Sequence, residues 1–466
     1  MSLLNKSLNN DEILKLFNKL EDKAAINEFN ACGFNIWPII RMSVCFGLIS
    51  ARYNKNTMKE LTLKERRGYL YKSIRSLFRG AKKKKSSILF ITHTNYLETI
   101  NEVVYDRVHY GHVNRKISQG DDCIRLNLAN KEVSYLNGNE KRLELFSLFR
   151  FIKFLSLAYC IFKIPVDWKT YKRLYSINKF FKSNGVYLTS TLLKIPFKVA
   201  YVFILSKFVN RSLLLNNVNA VYHSYYYCLE CMAITLAARR CGIDTINVQH
   251  GVQAKYHPAF GMWDNVPKEG YELLPDEFKC WNKASLDVIN NWALNNKHHY
   301  ATVSSYHWAD SWNKEAIPYN YNILRNESAD YFNVLVTLQP SLHGIQDIVK
   351  ECMQTTERNI KWWIRLHPRQ LTNEYINDIK HSLKDYECPI NIELASSKPL
   401  PAILSVIDLH ITGFSSSIYE ASYFSMKTIL THETGLDYYG DNLKMLRASY
   451  CADSECILTQ IKEMLS

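Results

Sequence analysis

Two short segments in the last third of the chain combine residue types suited to gripping a phosphate. The first is Arg365-Leu366-His367-Pro368-Arg369. Guanidiniums offer forked donors that match phosphate oxygens, and an imidazole between them can give the same charge a hydrogen bond or a proton. Pro368 keeps the residue before it out of the helical region, so the imidazole projects from the end of the preceding element. The second is Gly413-Phe414-Ser415-Ser416-Ser417-Ile418-Tyr419-Glu420. Serine hydroxyls, backbone N–H groups and the positive end of a helix dipole would converge there. An ordinary N-cap explains one serine but not three after a glycine. Arg365, His367, Pro368, Arg369, Gly413, Ser415, Ser416, Ser417 and Glu420 are the candidates for holding a phosphorylated ligand, and His367 is also a candidate catalytic group.

Two more segments carry titratable groups. In Asn247-Val248-Gln249-His250-Gly251, the glycine permits a close backbone approach or a left-handed turn, and His250 suits a general base or a ligand contact. His93-Thr94-Asn95-Tyr96-Leu97-Glu98, with Tyr105-Asp106-Arg107-Val108-His109-Tyr110-Gly111-His112 shortly after, is dense in polar and aromatic side chains, as a carbohydrate site would be. A carboxylate or neutral imidazole there can take a hydroxyl proton, which makes Glu98, Asp106 and His109 candidates. Catalytic candidates are thus His367, His250, Asp106 and Glu98, and candidate acceptor contacts are His93, Asn95, His109, Gln249 and Gly251.

These segments gain meaning from the elements that would position them. Ser87 to Thr94 is a short, nearly continuous apolar run ending in polar residues, which reads as a buried parallel strand. Strand-like Ala220 to Tyr225, helix-forming Cys228 to Arg240, a stop at Gly242 and strand-like Ile243 to Val248 make one βαβ unit. Phe278 to Trp281 and Ala284 to Leu294 suggest another strand and helix. Strands at 333–338, 361–366, 391–394, 408–412 and 428–431 then alternate with helices at 345–356, 373–386, 400–406, 416–424 and 455–465. Such alternation predicts a doubly wound parallel sheet, whose ligands sit at the carboxyl ends of the strands. The expected organisation is a helical extension over 1–85, a Rossmann-like domain over 86–303 with a helical insertion at about 141–215, a linker over 304–331 and a second Rossmann-like domain over 332–466. Two such α/β domains, with a cleft between them, make the GT-B plan.

A chain of 466 residues exceeds what one core supports, and 47% hydrophobic with 22% charged residues is ordinary for globular proteins. The net charge of +14 is uneven. From Phe332 onward 12 Lys and Arg face 16 Asp and Glu, a net of −4, which leaves +18 before that point. A basic surface attracts nucleic acid, anionic headgroups or phosphorylated substrates. The basic residues follow no recognition helix, zinc module or RNA-binding sheet signature, so nucleic acid is not the expected partner. The twelve scattered cysteines fit neither a disulfide framework nor a zinc site and are expected to be reduced core residues. Met1 to Asp22 is polar and acid-bearing, unlike a secretory leader. Leu143 to Ile164 and Tyr187 to Leu215 are apolar but broken by lysines and arginines. They suit helices on a bilayer surface or helices packed in a domain, rather than membrane spans. The expected location is cytoplasmic, with peripheral attachment to the inner membrane as a second reading.

With these residues assembled, the chain resembles bacterial capsule and lipopolysaccharide glycosyltransferases of GT-B fold that carry an HP motif and a downstream serine motif, such as polysialyltransferases and capsular Kdo transferases. The resemblance rests on His367-Pro368 and Ser415-Ser416-Ser417 and covers mainly Phe332 to Met464. Gln249-His250-Gly251, His257-Pro258, Gly261-Met262-Trp263, Gly270 to Asp276 and Phe278 to Trp281 are also similar to proteins encoded in surface-polysaccharide gene clusters. It implies that His367 contacts the nucleotide phosphate and can act as its general acid, and that serines 415 to 417 hold the same phosphate. It also implies a CMP-activated acidic sugar as donor and catalysis without a divalent metal. The acidic-acidic-Gly motif that supplies the base in polysialyltransferases has no counterpart, since Asp121-Asp122 precede Cys123; base and donor sugar stay open. The expected activity is transfer of a sugar from a nucleotide-sugar co-substrate, with no other cofactor, to a capsule or lipopolysaccharide glycan, free or lipid-linked. The alternatives are a CDP-polyol phosphotransferase of teichoic-acid-like synthesis and a non-catalytic scaffold of the polysaccharide assembly complex.

Overall fold

The computed structural model describes residues 10–23, 26–50, 87–128, 141–143, 146–163, 165–342, 344–356 and 359–466. The chain divides into two compact units: Met1–Thr99 with Val103–Ser305, and Ile100–Glu102 with Tyr306–Ser466. Of the extension expected over 1–85, helices α1 (Asn10–Lys23) and α2 (Trp37–Ser50) are described. The Lys82 to Lys85 run lies outside the described residues.

Unit 1 is built on seven parallel strands: β1 (Ser87–Thr92), β2 (Asp122–Asn127), β3 (Lys141–Leu143), β4 (Val218–His223), β5 (Asp244–Val248), β6 (Glu277–Cys280) and β7 (Tyr300–Val303). Their order is β7-β6-β5-β4-β1-β2-β3. Every residue of β1 is buried, because helices cover both faces of such a sheet. Helix α3 (Tyr110–Ser118) follows β1, and α4 (Phe146–Phe162), α5 (Trp168–Ser183) and α6 (Ile195–Leu215) fill the expected insertion. Helix α7 (Leu229–Arg240) joins β4 to β5, and α8 (Lys283–Ala293) joins β6 to β7. Gly242, at φ +67°, ends α7: its N–H donates to Arg239 O at 3.1 Å while that of Ile243 reaches Ala238 O at 3.0 Å. A left-handed residue after a helix is where glycine costs least.

The N-terminal helices join this unit through a buried ion pair. Arg41 and Glu21 are fully buried 2.6 Å apart. Arg41 also donates to the carbonyls of Pro258, Gly261 and Met262 and lies 4.3 Å from the Trp263 ring, while Glu21 accepts from Trp37 Nε1 and from the backbone of Asp264. The loop after β5 is thereby clamped to α1 and α2.

Unit 2 carries six parallel strands: β8 (Phe332–Thr337), β9 (Ile360–Arg365), β10 (Ile390–Asn391), β11 (Leu409–Thr412), β12 (Lys427–Leu430) and β13 (Ala448–Tyr450). Their order, β10-β9-β8-β11-β12-β13, is the doubly wound order, and six strands of unit 1 repeat it. Helices α9 (Asp347–Thr355), α10 (Asn373–Ser382), α11 (Ser417–Tyr423) and α12 (Ser454–Leu465) flank the sheet. Residues 304–331, expected as a linker, contain the short helices His307–Asn313 and Asn322–Ser328, and from Tyr306 onward they belong to unit 2.

Two local expectations are corrected. The strand expected over 391–394 stops at Asn391, whose side chain accepts from Leu394 N at 3.0 Å and so caps the helix Glu393–Ser397. The cysteines are not all reduced: Cys451 and Cys456 form a disulfide. The turn into α12 brings their Cα atoms to 5.5 Å, within bonding range, while the other ten stay free.

Candidate functional site

In each unit the strand order reverses between its first and fourth strands, β1/β4 and β8/β11. Ligands of open α/β sheets bind outside the carboxyl ends of the strands at such a switch point.

In unit 2 the register aligns Arg365, Thr337 and Thr412 across β9, β8 and β11, so His367 and Ser415 leave the same edge. Two strand spacings, about 10 Å, separate the two strand ends. His367 is half-buried, Pro368 is exposed and begins the turn Pro368–Gln370, and Arg369 follows in that turn. Arg365 supports the protein itself, since its Nη1 donates to the carbonyls of Ala395 and Lys398 at 2.5 and 2.7 Å, holding the end of a short helix. Ser415 and Ser416 are half-buried, and Ser415 Oγ accepts from Ser417 N at 3.3 Å.

Ser417 points inward. Its hydroxyl lies 3.0 Å from Thr337 Oγ1 and 3.3 Å from Nε2 of the buried His410, whose Nδ1 meets Thr428 Oγ1 at 3.0 Å. Burial pushes the His410 imidazole down to about 3, so the ring is neutral at pH 7. Gln339 spans the switch point, donating to Thr337 O at 2.8 Å and Thr412 Oγ1 at 2.7 Å, and Gln346 donates to Thr431 O at 3.0 Å. A Cβ on Gly413 would fall 2.6 Å from Leu342 Cδ1 and 2.7 Å from Gln339 Oε1, so a larger residue here would have to push those two side chains aside. The buried Glu420 accepts from Tyr306 OH at 3.1 Å. Between Thr337, Gln339, Gln346, Thr412 and Gly413 lies a cavity with about 10 Å³ free to a water-sized molecule, room for one water. The sequence candidates thus share an edge, but Ser417 and Arg365 are spent on internal bonds.

Unit 1 is arranged differently. Asp106 is buried and accepts from His109 Nδ1 at 2.9 Å, from Arg125 at 2.8 Å and from the backbone of Val108 and His109 at 3.2 Å. Burial opposes its charge, but His109 and Arg125 outweigh that and hold it well below the usual carboxylate range. The Asp106 carboxylate is thus shared between His109 and Arg125 and fixes the His109 ring. Glu98 lies 3.5 Å from Arg107 on the two-stranded ribbon Leu97–Ile100 with Val103–Asp106. Asn95 is exposed, and His93 Nδ1 accepts from its backbone N–H at 3.2 Å. The Gln249 amide is buried and used up by Gly251 O, Ser285 Oγ and Trp281 N, which corrects its reading as an acceptor contact. Gly251 takes no left-handed turn; its carbonyl serves Gln249.

Around these residues the edge is aromatic on its open side. His93, Tyr96, Tyr225, Tyr227 and His250 form successive ring pairs with centroids 5.0 to 6.3 Å apart, and Tyr227 continues to His257 and Phe260 at 6.0 Å. His250 Nε2 meets Tyr227 OH at 3.2 Å. Burial, with His257 and His109 nearby, pushes His250 down to about 3, leaving it neutral at pH 7. Beneath lie buried polar atoms without a hydrogen-bond partner in the protein: Thr92 Oγ1, His109 Nε2, His223 Nδ1, Ser224 Oγ and both amide atoms of Asn247. Ile91, next to Thr92, pairs with His223, and His223 pairs with Asn247, so they end three adjacent strands. Buried polar groups normally find partners, so such a concentration marks a place for water or a polar ligand.

Sequence reasoning missed Thr92, His223, Ser224, Tyr225, Tyr227, Gln339 and His410. The available signal was a polar residue interrupting or ending an apolar strand, as in Val-Tyr-His-Ser or Leu-His-Ile-Thr. Among the described residues no group of three or more His, Cys, Asp or Glu is arranged to hold a metal.

No protein-family model and no curated protein matches the chain. Solved structures do. A putative UDP-N-acetylglucosamine 2-epimerase from Listeria monocytogenes aligns over 82% of this chain and 88% of its own, at TM-score 0.50 and 11% identity. A second UDP-N-acetylglucosamine 2-epimerase aligns over 83% and 88%, at TM-score 0.50 and 12% identity. The wall teichoic acid polymerase TagF aligns over 91% and 87%, at TM-score 0.41 and 9% identity, a likeness too slight to carry weight. The chain has the GT-B fold class of two Rossmann-like α/β domains.

Proposed function

We propose that the protein is a glycosyltransferase that moves a sugar from a nucleotide-activated donor, a CMP-sugar first, to a glycan or lipid-linked glycan of a bacterial capsule or lipopolysaccharide. The observation that carries this reading is the edge of unit 1, where buried hydroxyl, amide and imidazole atoms lack partners behind a wall of tyrosines. A sugar offers hydroxyls to satisfy such atoms and apolar ring faces to lie on the aromatics.

In this reading the acceptor lies on unit 1 and its attacking hydroxyl donates to His250; burial keeps that imidazole neutral but a weak base, so the proton leaves only as the bond to carbon forms. Asp106 orients His109 beside it. The acceptor oxygen bonds to the anomeric carbon, and the bond from that carbon to the donor phosphate breaks with its electron pair on the phosphate. His367, Ser415 and Ser416 of unit 2 are assigned to that growing charge, while Ser417 and Arg365 keep the edge in shape.

A thermal-shift panel of CMP, CDP, UDP, GDP and their sugars tests the reading. One nucleotide series should stabilise the parent, by about 2.7 kcal/mol at a hundred times its Kd. His367→Ala should abolish that shift. His250→Ala should keep it and lose roughly 10² to 10⁴ in transfer rate. Unchanged nucleotide binding in His367→Ala together with unchanged transfer in His250→Ala would end the proposal, and glycerol- or ribitol-phosphate transfer from a CDP-polyol would replace it.

A further inference from the structure

Helix α4 contradicts the usual economy of a surface helix. Its core face buries Leu148, Phe149 and Ile152, with Ser156 donating to Ile152 O. Its outer face is apolar too: Phe154, Leu157 and Ile161, spaced three and four apart on one stripe, and the adjoining Phe162 are 53 to 85% exposed. Arg150 and Lys153 are exposed beside this stripe, so basic groups flank an apolar surface of the kind that ordinarily meets a partner.

Helix α5, the next in the chain, also divides into a buried and an exposed stripe. Thr170, Leu174, Ile177 and Phe181 form its buried stripe. The opposite stripe reads Trp168, Lys172, Tyr175, Lys179 and Lys182, all exposed, with Lys172 Nζ 5.9 Å from the Trp168 ring. From Phe146 to Leu215 the chain has twelve Lys and Arg and a single acid, Asp167. Among the described residues, Glu28 pairs with Lys169 and Arg173, and Glu230 with Lys153. No described helix is long and apolar enough to cross a membrane.

We propose that the outer stripes of α4 and α5 are the surface on which this protein lies against an anionic lipid bilayer. Phe154, Leu157, Ile161, Phe162 and Trp168 enter the boundary between headgroups and acyl chains, and Lys172, Lys179 and Lys182 meet the headgroup phosphates. Apolar side chains beside a lysine-rich, acid-poor face are what an interfacial helix needs. A second copy of the chain would set one cationic face against another. This docking stands apart from the sugar-transfer reading and needs no activity to be measured.

The test is sedimentation of the full chain with vesicles of phosphatidylcholine alone or with about a third phosphatidylglycerol. The parent should bind the anionic vesicles, more weakly as salt rises, and leave the neutral ones unbound. The triple variant Phe154→Ser, Phe162→Ser, Trp168→Ser and the triple variant Lys172→Glu, Lys179→Glu, Lys182→Glu should each lower partitioning at least about tenfold with unchanged melting temperature, since all six side chains are exposed. The proposal is overturned if the parent ignores charge or does not bind, if both variants bind as the parent does, or if the parent is a dimer that the serine variant splits. Displacement by the serine changes of bound duplex DNA, with no vesicle binding, would assign the face to nucleic acid instead.

Discussion

The two carboxyl edges are built on the same strand order, yet they treat their polar groups in opposite ways. In unit 2, Thr337, His410, Ser417 and Thr428 bond to one another, and Gln339 and Thr412 close the switch point. In unit 1, Thr92, His109, His223, Ser224 and Asn247 keep buried polar atoms without protein partners. A satisfied network belongs to the scaffold and rigidifies it. An unsatisfied one lowers stability unless something else completes it, which is how a binding site differs from a core. The fold alone would not have distinguished them.

The largest expected effect is on the frame of the unit 1 edge. Arg41→Met removes the partner of the buried Glu21 and releases the loop Pro258 to Asp264. Breaking a buried pair from one side should cost about 3 to 5 kcal/mol, read as a lowered urea midpoint. If stability holds, the clamp is not what shapes that edge.

Acid should separate the units next. Burial holds His223 and His299 of unit 1 neutral, down at about 3, with His250 at about 3 and His257 at about 4, whereas in unit 2 it holds His410 at about 3. Unfolded histidine takes a proton near pH 6.5 and these folded rings refuse it, so their stability is present above pH 6.5 and falls toward pH 3 to 4. Each fully buried ring should cost on the order of 1.4 kcal/mol per pH unit in that window. Hydrogen exchange at pH 5 should show β4 and β5 losing protection before β8 and β11; the reverse order would undo the contrast.

A matched pair of substitutions sharpens it with smaller effects. His410→Ala leaves the Thr428 hydroxyl without its ring partner and the Thr337 and Ser417 hydroxyls with each other, and should destabilise by roughly 3 kcal/mol. Asn247→Leu replaces an amide that has no partner with an apolar group of similar size. It should change stability by less than about 1 kcal/mol in either direction while weakening glycan binding. Equal losses from both would mean the Asn247 amide is satisfied after all.

Much of the fold was legible because parallel strands are continuous apolar runs and helices stop at residues such as Gly242. The strands at Asp122, Tyr300 and Ala448 were missed, being short or polar at one end. Of the candidate site, His250, Asp106 and His109 were visible as chemistry-bearing types, but their division of labour was not. Asp106 reads as a base until Arg125, nineteen residues away, is seen to share its carboxylate. Ser417 reads like Ser415 until the first turn of α11 sends its hydroxyl to His410 on the strand just before it.

What the sequence determined by itself was local and additive: strand and helix periodicity, the uneven charge, the lysine-rich apolar helices, and the residue types available for chemistry. Only the tertiary structure decided which polar groups complete one another and which are buried without a partner in the protein. Hydrogen-bond satisfaction depends on distance between residues far apart in the chain, and burial turns that distance into free energy.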